Sequence, residues 1–473
     1  LLGCFFSLAL LAYLRSEKLR RGTQRQRLGQ PAARGAEPWW YWLSFAVFVL
    51  ALLSKTSVVM LPVVLLLCMW WLGRAAGRSL TREDVARTMP FFGIALGLAL
   101  VTIWFQYQRS IGTDVVTTSD FRSRWVGAGM AAWFYLARIL FPRHPMFVYP
   151  RWSFSPDVVA HYLPGALLVG LWVLFWWYRN RWARPCFFAL SYFLAMLFPV
   201  LGFFKIYFQK YSFVADHWAY PAMIGIIALV AGGGAWLVRS AGRRWGNSIG
   251  LLAAVGLLGT LAPLTWAQCG IYQNEETLWR ATLARNFKCW LAHHNLASLL
   301  VTQSQAELSA VAGAANFSGP SPACADKLNE ALFHEQATIA LKPDHAAAEY
   351  GAGHILSLLK RTEEAIPHFR RAIELQPDMI SALDSLAWIL ATHEQAAVRN
   401  GAEAVRLAKS AVAITGEQDA RSLETLAIAS AEAGDFPAAT EARRKALTLA
   451  LAAQERDFAG TAGGSTAALR KRP

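Results

Sequence analysis

Seven apolar windows crowd the first 270 residues of the chain: 39–53, 56–73, 89–108, 158–178, 185–204, 217–238 and 245–268. A helix needs about 20 predominantly apolar residues to cross a bilayer, and several windows approach or exceed that length. Residues 1–14 read as a further span cut short, which brings the expected number to about eight. The chain opens inside this run at Leu1, without the basic region and small-residue cleavage site of a signal peptide. The expectation is an N-terminally truncated, polytopic membrane protein.

Composition divides the chain in two. It is 55% hydrophobic and 16% charged, against ~25% charged for a soluble domain. Residues 1–270 hold 26 basic and 8 acidic side chains, residues 271–473 hold 20 and 23, and seventeen of the twenty Trp fall in the first part. A single soluble globule is excluded.

Lys and Arg are retained on the cytoplasmic side of membrane proteins. Four loops are rich in them: 15–38, 74–88, 179–184 and 239–244. All four share the cytoplasmic face if 125–141, which carries Arg138 and ends before Pro142, is a re-entrant or interfacial helix. The loops around Lys55, 109–124, 142–157 and 205–216 are then extracytoplasmic, as is everything after residue 268. Most of the basic excess is therefore topological, and no nucleic-acid partner is expected.

The second part carries a period. Pro343 and Pro377 lie 34 residues apart, the repeat length of the tetratricopeptide (TPR) unit, a helix–turn–helix that buries its core by stacking on neighbours. Ala352, Gly353 and Leu356 take the small and apolar positions of a first helix, and Ala365, Phe369 and Ala372 those of a second. Weaker copies cover 290–343, split by an inserted loop near 306–324, then 380–414 with a longer turn at 393–400, and 420–449 with a turn at Gly434-Asp435. A lone helix is expected at 275–285. The fold class expected is all-α: a transmembrane helix bundle over 1–270, a TPR solenoid over 271–455, and a disordered tail over 456–473. The six cysteines have no framework or metal spacing and read as free buried thiols.

No phosphate-binding loop, dinucleotide fingerprint, zinc-protease helix or nucleophile elbow is present, so neither a cofactor nor a metal site is identified from motifs. Candidate chemistry lies at the extracytoplasmic membrane face. Lys55, between two apolar runs, either snorkels from a hairpin tip or meets a lipid phosphate. Tyr149-Pro150-Arg151-Trp152 places a guanidinium among aromatics, which suits a phosphate or sugar and equally an interfacial belt. The run from Lys205 to Tyr220 holds Lys205, Lys210, Tyr211, Asp216 and His217 at the mouth of a span. Asp216, the only acidic residue between Asp157 and Glu275, also suits a helix N-cap.

Leu52–Thr56, Tyr149–Trp152 and Tyr211–Tyr220, followed by terminal TPRs, resemble the transmembrane and TPR-containing O-mannosyltransferase family over nearly the whole chain. The resemblance implies a GT-C-type membrane fold in a bacterial inner membrane, with the TPRs extracytoplasmic. It further implies transfer of a sugar, mannose by the family's name, from a polyprenyl phosphate to protein Ser or Thr. A divalent metal is compatible with it. The family's key carboxylates lie in a first extracytoplasmic loop upstream of Leu1, so no catalytic residue is assigned here. Two positions depart from the common pattern: His217 stands where many relatives carry Arg, and Thr56 where they often carry Glu. The partners implied are the bilayer, the polyprenyl-phosphate sugar and an acceptor protein or peptide held by the TPRs. The alternative is a membrane-anchored TPR scaffold without catalysis.

Overall fold

The computed structural model describes residues 2–26, 36–75, 79–111, 120–142, 145–152, 155, 157–204, 206–240, 246–311 and 320–469. It is all-α, with no strand among the described residues. The chain divides into two compact units, Leu1–Gly270 and Ile271–Pro473.

In the first unit the helices are α1 (Leu2–Gln26), α2 (Ala36–Ser54), α3 (Leu61–Ala75), α4 (Arg82–Phe105), α5 (Phe121–Leu140), α6 (Leu163–Trp177), α7 (Arg184–Leu197), α8 (Asp216–Ser240) and α9 (Gly246–Gly270). Among the described residues five helical stretches are long and apolar enough to cross a membrane: Thr56–Gly73, Arg82–Gln108, Val159–Trp177, Asp216–Ser240 and Ser248–Gly270. Pro38–Ser54 and Arg184–Val200 are apolar but shorter. The outer faces of these helices carry Trp, Leu, Val and Ile, including Leu251, Leu252 and Trp266 along α9. The core is small and aromatic, with Tyr13, Phe48, Phe91, Tyr135 and Phe193 fully buried.

At one end of the bundle the basic loops meet. Arg20 of α1 donates to Glu17 at 2.7 Å, to Glu83 at 3.1 Å and to Asp84, and Arg87 of α4 pairs with Glu17 at 3.0 Å. Thr81 and Asp84 cap α4 reciprocally, so the network is fixed to a helix start. Arg184, at the start of α7, donates to the Trp71 carbonyl near the end of α3 and stacks 4.5 Å over the Trp71 ring. Three of the four Arg-rich stretches thus gather where α1 and α3 end and α4 and α7 begin.

At the other end, α5 begins and ends against one connection. Arg124 donates to the Phe203 carbonyl at 3.1 Å, and the Tyr135 hydroxyl accepts the Ala215 amide at 3.0 Å. Phe203 and Ala215 both belong to the segment between α7 and α8. A small-residue face, Gly127, Ala128, Gly129, Ala131 and Ala132, is buried. A Cβ on Gly129 would come within 2.6 Å of the Gly165 backbone, so α5 and α6 touch main chain to main chain.

The second unit is a lone helix, α10 (Glu275–Arg285), and four helical hairpins: α11 (Trp290–Val311) with α12 (Pro322–Leu341), α13 (Ala346–Leu358) with α14 (Thr362–Leu375), α15 (Ile380–Thr392) with α16 (Gly401–Ile414), and α17 (Ala420–Glu432) with α18 (Phe436–Leu469). Side-chain caps start several of them: Asn274, Ser321, Asn400 and Asp419 each accept from an amide two or three residues on. Ala352, Gly353, Leu356, Ala365, Phe369 and Ala372 are all buried. A Cβ on Gly353 would sit 3.0 Å from the Phe369 ring, which explains the glycine.

Three expectations need correction. The insertion near 306–324 is shorter than composition suggests, because α11 runs to Val311 and α12 starts at Pro322; residues 312–319 lie outside the described residues. The backbone of α18 continues to Leu469, into the stretch read as a tail, where alanine favours helix. All six cysteines are free, yet only Cys289 and Cys324 are buried; Cys4 and Cys269 are exposed, because they lie on outward faces of apolar helices.

Candidate functional site

The site residues collect at the α5 end of the bundle, around the start of α8. Tyr149 is buried, 3% exposed. Its hydroxyl donates to Asp216 Oδ1 at 2.8 Å, while the Met146 amide donates to Asp216 Oδ2 at 3.2 Å. Both carboxylate oxygens are thus used to hold the 145–149 loop against α8. The negative charge also stands in the first turn of α8, where the helix dipole favours it. The residue expected to cap α8 is thus a cross-link between distant segments.

Arg138 stacks 5.5 Å over the Tyr149 ring and 5.1 Å over Phe134. Trp152 is held between Phe134, at 5.6 Å, and Phe213, with which it is parallel at 6.3 Å. The two aromatics of the Tyr149–Trp152 motif therefore pack inward and Arg151 is exposed. The guanidinium over the tyrosine belongs to Arg138, a partner that the motif alone does not reveal. The visible signal was one Arg near the end of an otherwise apolar, Ala- and Gly-rich helix.

The remaining candidates form an aromatic apron. Tyr207 and Tyr211 share a 2.8 Å hydroxyl contact, and Lys210 Nζ lies 5.9 Å from the Tyr207 ring centre. Phe208 packs edge-on against Tyr211, His217 and Trp218. Lys205 lies outside the described residues.

Lys55 is exposed at the mouth of a cavity of about 400 Å³. Met60, Val63, Leu96, Ala99, Ile103 and Trp218 line its apolar wall, and Thr102 and Gln106 its polar rim. The cavity joins the α2–α3 turn, α4, the α7–α8 connection and the start of α8. Lys55 and the third motif, far apart in sequence, therefore border one space. An ammonium at the rim of an apolar cavity has the form of a receptor for an amphiphile with an anionic head.

The residues at this end do not fit a divalent metal. Hard cations take several oxygen ligands, whereas both oxygens of Asp216 already accept protein donors. Among the described residues no three His, Cys, Asp or Glu side chains form a group that could hold a metal ion.

No family model matches the chain, and no curated protein matches it. Among solved structures, YrrB, titled a TPR protein with an unusual peptide-binding site, is 16% identical over 44% of this chain and 91% of that one, with a TM-score of 0.29. A MamA fragment from Desulfovibrio magneticus RS-1 is 16% identical over 41% and 95%, at 0.29. Yeast Tom70 is 13% identical over 98% and 99%, at 0.27. Likenesses this distant carry no functional argument; the solenoid is read from this chain's own four hairpins.

Proposed function

We propose that the chain is a membrane-embedded glycosyltransferase of GT-C type. It would move a sugar from a polyprenyl phosphate to a protein Ser or Thr on the extracytoplasmic side, with its TPRs holding the acceptor. The observation that carries the reading is the apolar cavity with Lys55 at its rim. In this reading the cavity takes the first isoprene units, and the ammonium pairs with the phosphate. The acceptor oxygen bonds to the sugar C1 as the bond from C1 to the phosphate oxygen breaks. The hydroxyl proton passes to a carboxylate, and polyprenyl phosphate leaves, its charge met by Lys55. Asp216 is a positioning residue here, not the base.

The orientation is part of the proposal. Gathering of the Arg-rich loops at one end of the bundle supports a cytoplasmic assignment for that end. The contacts of α5 with Phe203 and Ala215 support an interfacial helix. In this reading the protein sits in a bacterial inner membrane and residues 271–473 are extracytoplasmic.

The test uses the full chain in lipid nanodiscs. Lys55→Ala should weaken binding of farnesyl phosphate at least tenfold, and Lys55→Ala or Arg151→Ala should abolish transfer from a polyprenyl-phosphate mannose to a Ser/Thr peptide. Unchanged affinity in Lys55→Ala removes the cavity from the reading. A second reading, a membrane-anchored scaffold without catalysis, is favoured by one observation: the sole acidic residue between Asp157 and Glu275 has both oxygens engaged. Transfer activity in wild-type chain would exclude it.

A further inference from the structure

A second apolar space lies in the first unit, between α5 and α6. It is a groove of about 630 Å³, walled by Met130 and Phe134 of α5, by Trp152, by Ala160 just ahead of α6, and by Leu163 and Leu167 within it. None of its lining residues is charged, and none also lines the Lys55 cavity. The two polar groups in the wall satisfy each other, because Trp133 Nε1 donates to the Pro164 carbonyl at 2.8 Å.

The groove has a direction. Trp133 meets Pro164, and Gly129, one turn earlier on α5, meets Gly165, so the two helices run in opposite senses. Met130 and Leu167 therefore lie toward one end, and Phe134, Trp152, Ala160 and Leu163 toward the other. The second end is basic. Arg138, one turn beyond Phe134 on α5, holds its guanidinium 5.1 Å from the Phe134 ring centre. Arg151 adjoins Trp152, whose ring lies 5.6 Å from that of Phe134, and is exposed. The carboxylates of this region are engaged locally: Asp216 accepts from Tyr149 and Met146, and Asp157 from Ser155.

One side is open. Ala160, Leu163 and Leu167 are exposed along it, and in a bilayer that side meets lipid. A trough that is apolar at one end, basic at the other and open along its length matches one chain and the head of a two-chain lipid, whose second chain stays in the surrounding bilayer. The guanidinium fork fits the two free oxygens of a phosphodiester. Arginine stems and tryptophan rings also suit the headgroup level of a membrane, and basic pockets between membrane helices take lipid head groups.

We propose that this groove holds an anionic phospholipid, with one acyl chain along Met130 and Leu167 and its phosphodiester at Arg138, Arg151 adding positive charge at the same end. The lipid is a bound component and not a reactant. The inference goes beyond the transfer reading and requires only that the first unit lie in a bilayer.

The full chain, delipidated in detergent, is titrated with dioleoyl phosphatidylglycerol or dioleoyl phosphatidylcholine, and bound lipid is counted by native mass spectrometry. Phosphatidylglycerol should bind about tenfold more tightly, on the strength of a charge-assisted pair, and should raise the thermal midpoint more than phosphatidylcholine does. Ala160→Trp, at an exposed position, fills the groove; it should weaken phosphatidylglycerol about tenfold while the lipid-free thermal midpoint holds. Arg138→Gln should reduce phosphatidylglycerol to the affinity of phosphatidylcholine. Equal affinity of wild-type chain for the two lipids, or unchanged affinity in Ala160→Trp, overturns the proposal. Excess farnesyl phosphate should leave phosphatidylglycerol bound; displacement would give the groove to the isoprenoid and overturn the phospholipid. The transfer reading is tested at Lys55 with farnesyl phosphate, so the two can fail separately.

Discussion

The Tyr149 hydroxyl stands 2.8 Å from Asp216 Oδ1, joining residues 67 positions apart at the start of α8. This contact fixes the loop that follows α5, and through Trp152 it sets where Arg151 is presented. Tyr149→Phe removes a hydrogen bond to the half-buried carboxylate of Asp216, which costs about 1.5 kcal/mol. Differential scanning fluorimetry in detergent should register a lower melting midpoint. Affinity for farnesyl phosphate at the Lys55 cavity should change by less than about threefold, because Tyr149 does not line that space. A tenfold loss would mean that the two regions act as one site.

The Arg20 cluster supplies a second prediction. Glu17 is 1% exposed and is held by Arg20 and Arg87. Removing one member of a buried ion network leaves charge uncompensated. Arg20→Ala should therefore destabilise the first unit by about 2 kcal/mol, on the scale of a lost charged hydrogen bond. Arg20→Lys should recover only part of this, because a single ammonium cannot span Glu17, Glu83 and Asp84 as the guanidinium fork does. Full recovery with Lys would mean that charge alone matters.

Acid should loosen the TPR unit. His293 Nδ1 and His334 Nδ1 lie 2.8 Å apart in the core, and the His293 Nε2 contacts the Phe287 carbonyl at 2.9 Å. Burial lowers His334 to about 4, aided by His293 and by Arg280 against the opposing pull of Glu330; burial lowers His293 as well. The ordinary value is about 6.5. A base depressed in the folded state binds fewer protons there than in the unfolded chain. Its stabilising contribution is therefore complete above pH about 6.5 and is lost as pH falls toward 4. The unfolding midpoint should drop across that window at constant ionic strength, and His334→Gln, which keeps a hydrogen-bonding side chain without the titration, should flatten the drop. An unchanged slope in that variant would assign the acid sensitivity elsewhere.

The four repeats were legible because their signal is local and repeated. Pro343 and Pro377 mark the period, and Ala352, Phe369 and Ala372 need only their own hairpin to be buried. Apolar runs likewise announced the helices of the first unit, although length separates Thr56–Gly73 from the shorter Pro38–Ser54. Lys55, Tyr149 and Asp216 were visible as polar residues in costly places. What could not be read was their pairing. Arg138 over Tyr149, Met146 with Asp216, and Lys55 and Trp218 on one cavity join residues 11, 70 and 163 positions apart, and no spacing encodes such contacts.

If α5, which meets the α7–α8 connection at Arg124 and Tyr135, lies in the membrane interface as proposed, it has no bearing on parity. A helix that leaves and returns to one face does not change the direction in which α6 and all later helices thread. The sidedness of residues 271–473 is then set by the count of the other helices alone. Insertions or deletions within 121–140 could reshape the site without turning the remainder of the chain over, which leaves this segment freer to diverge than any crossing helix.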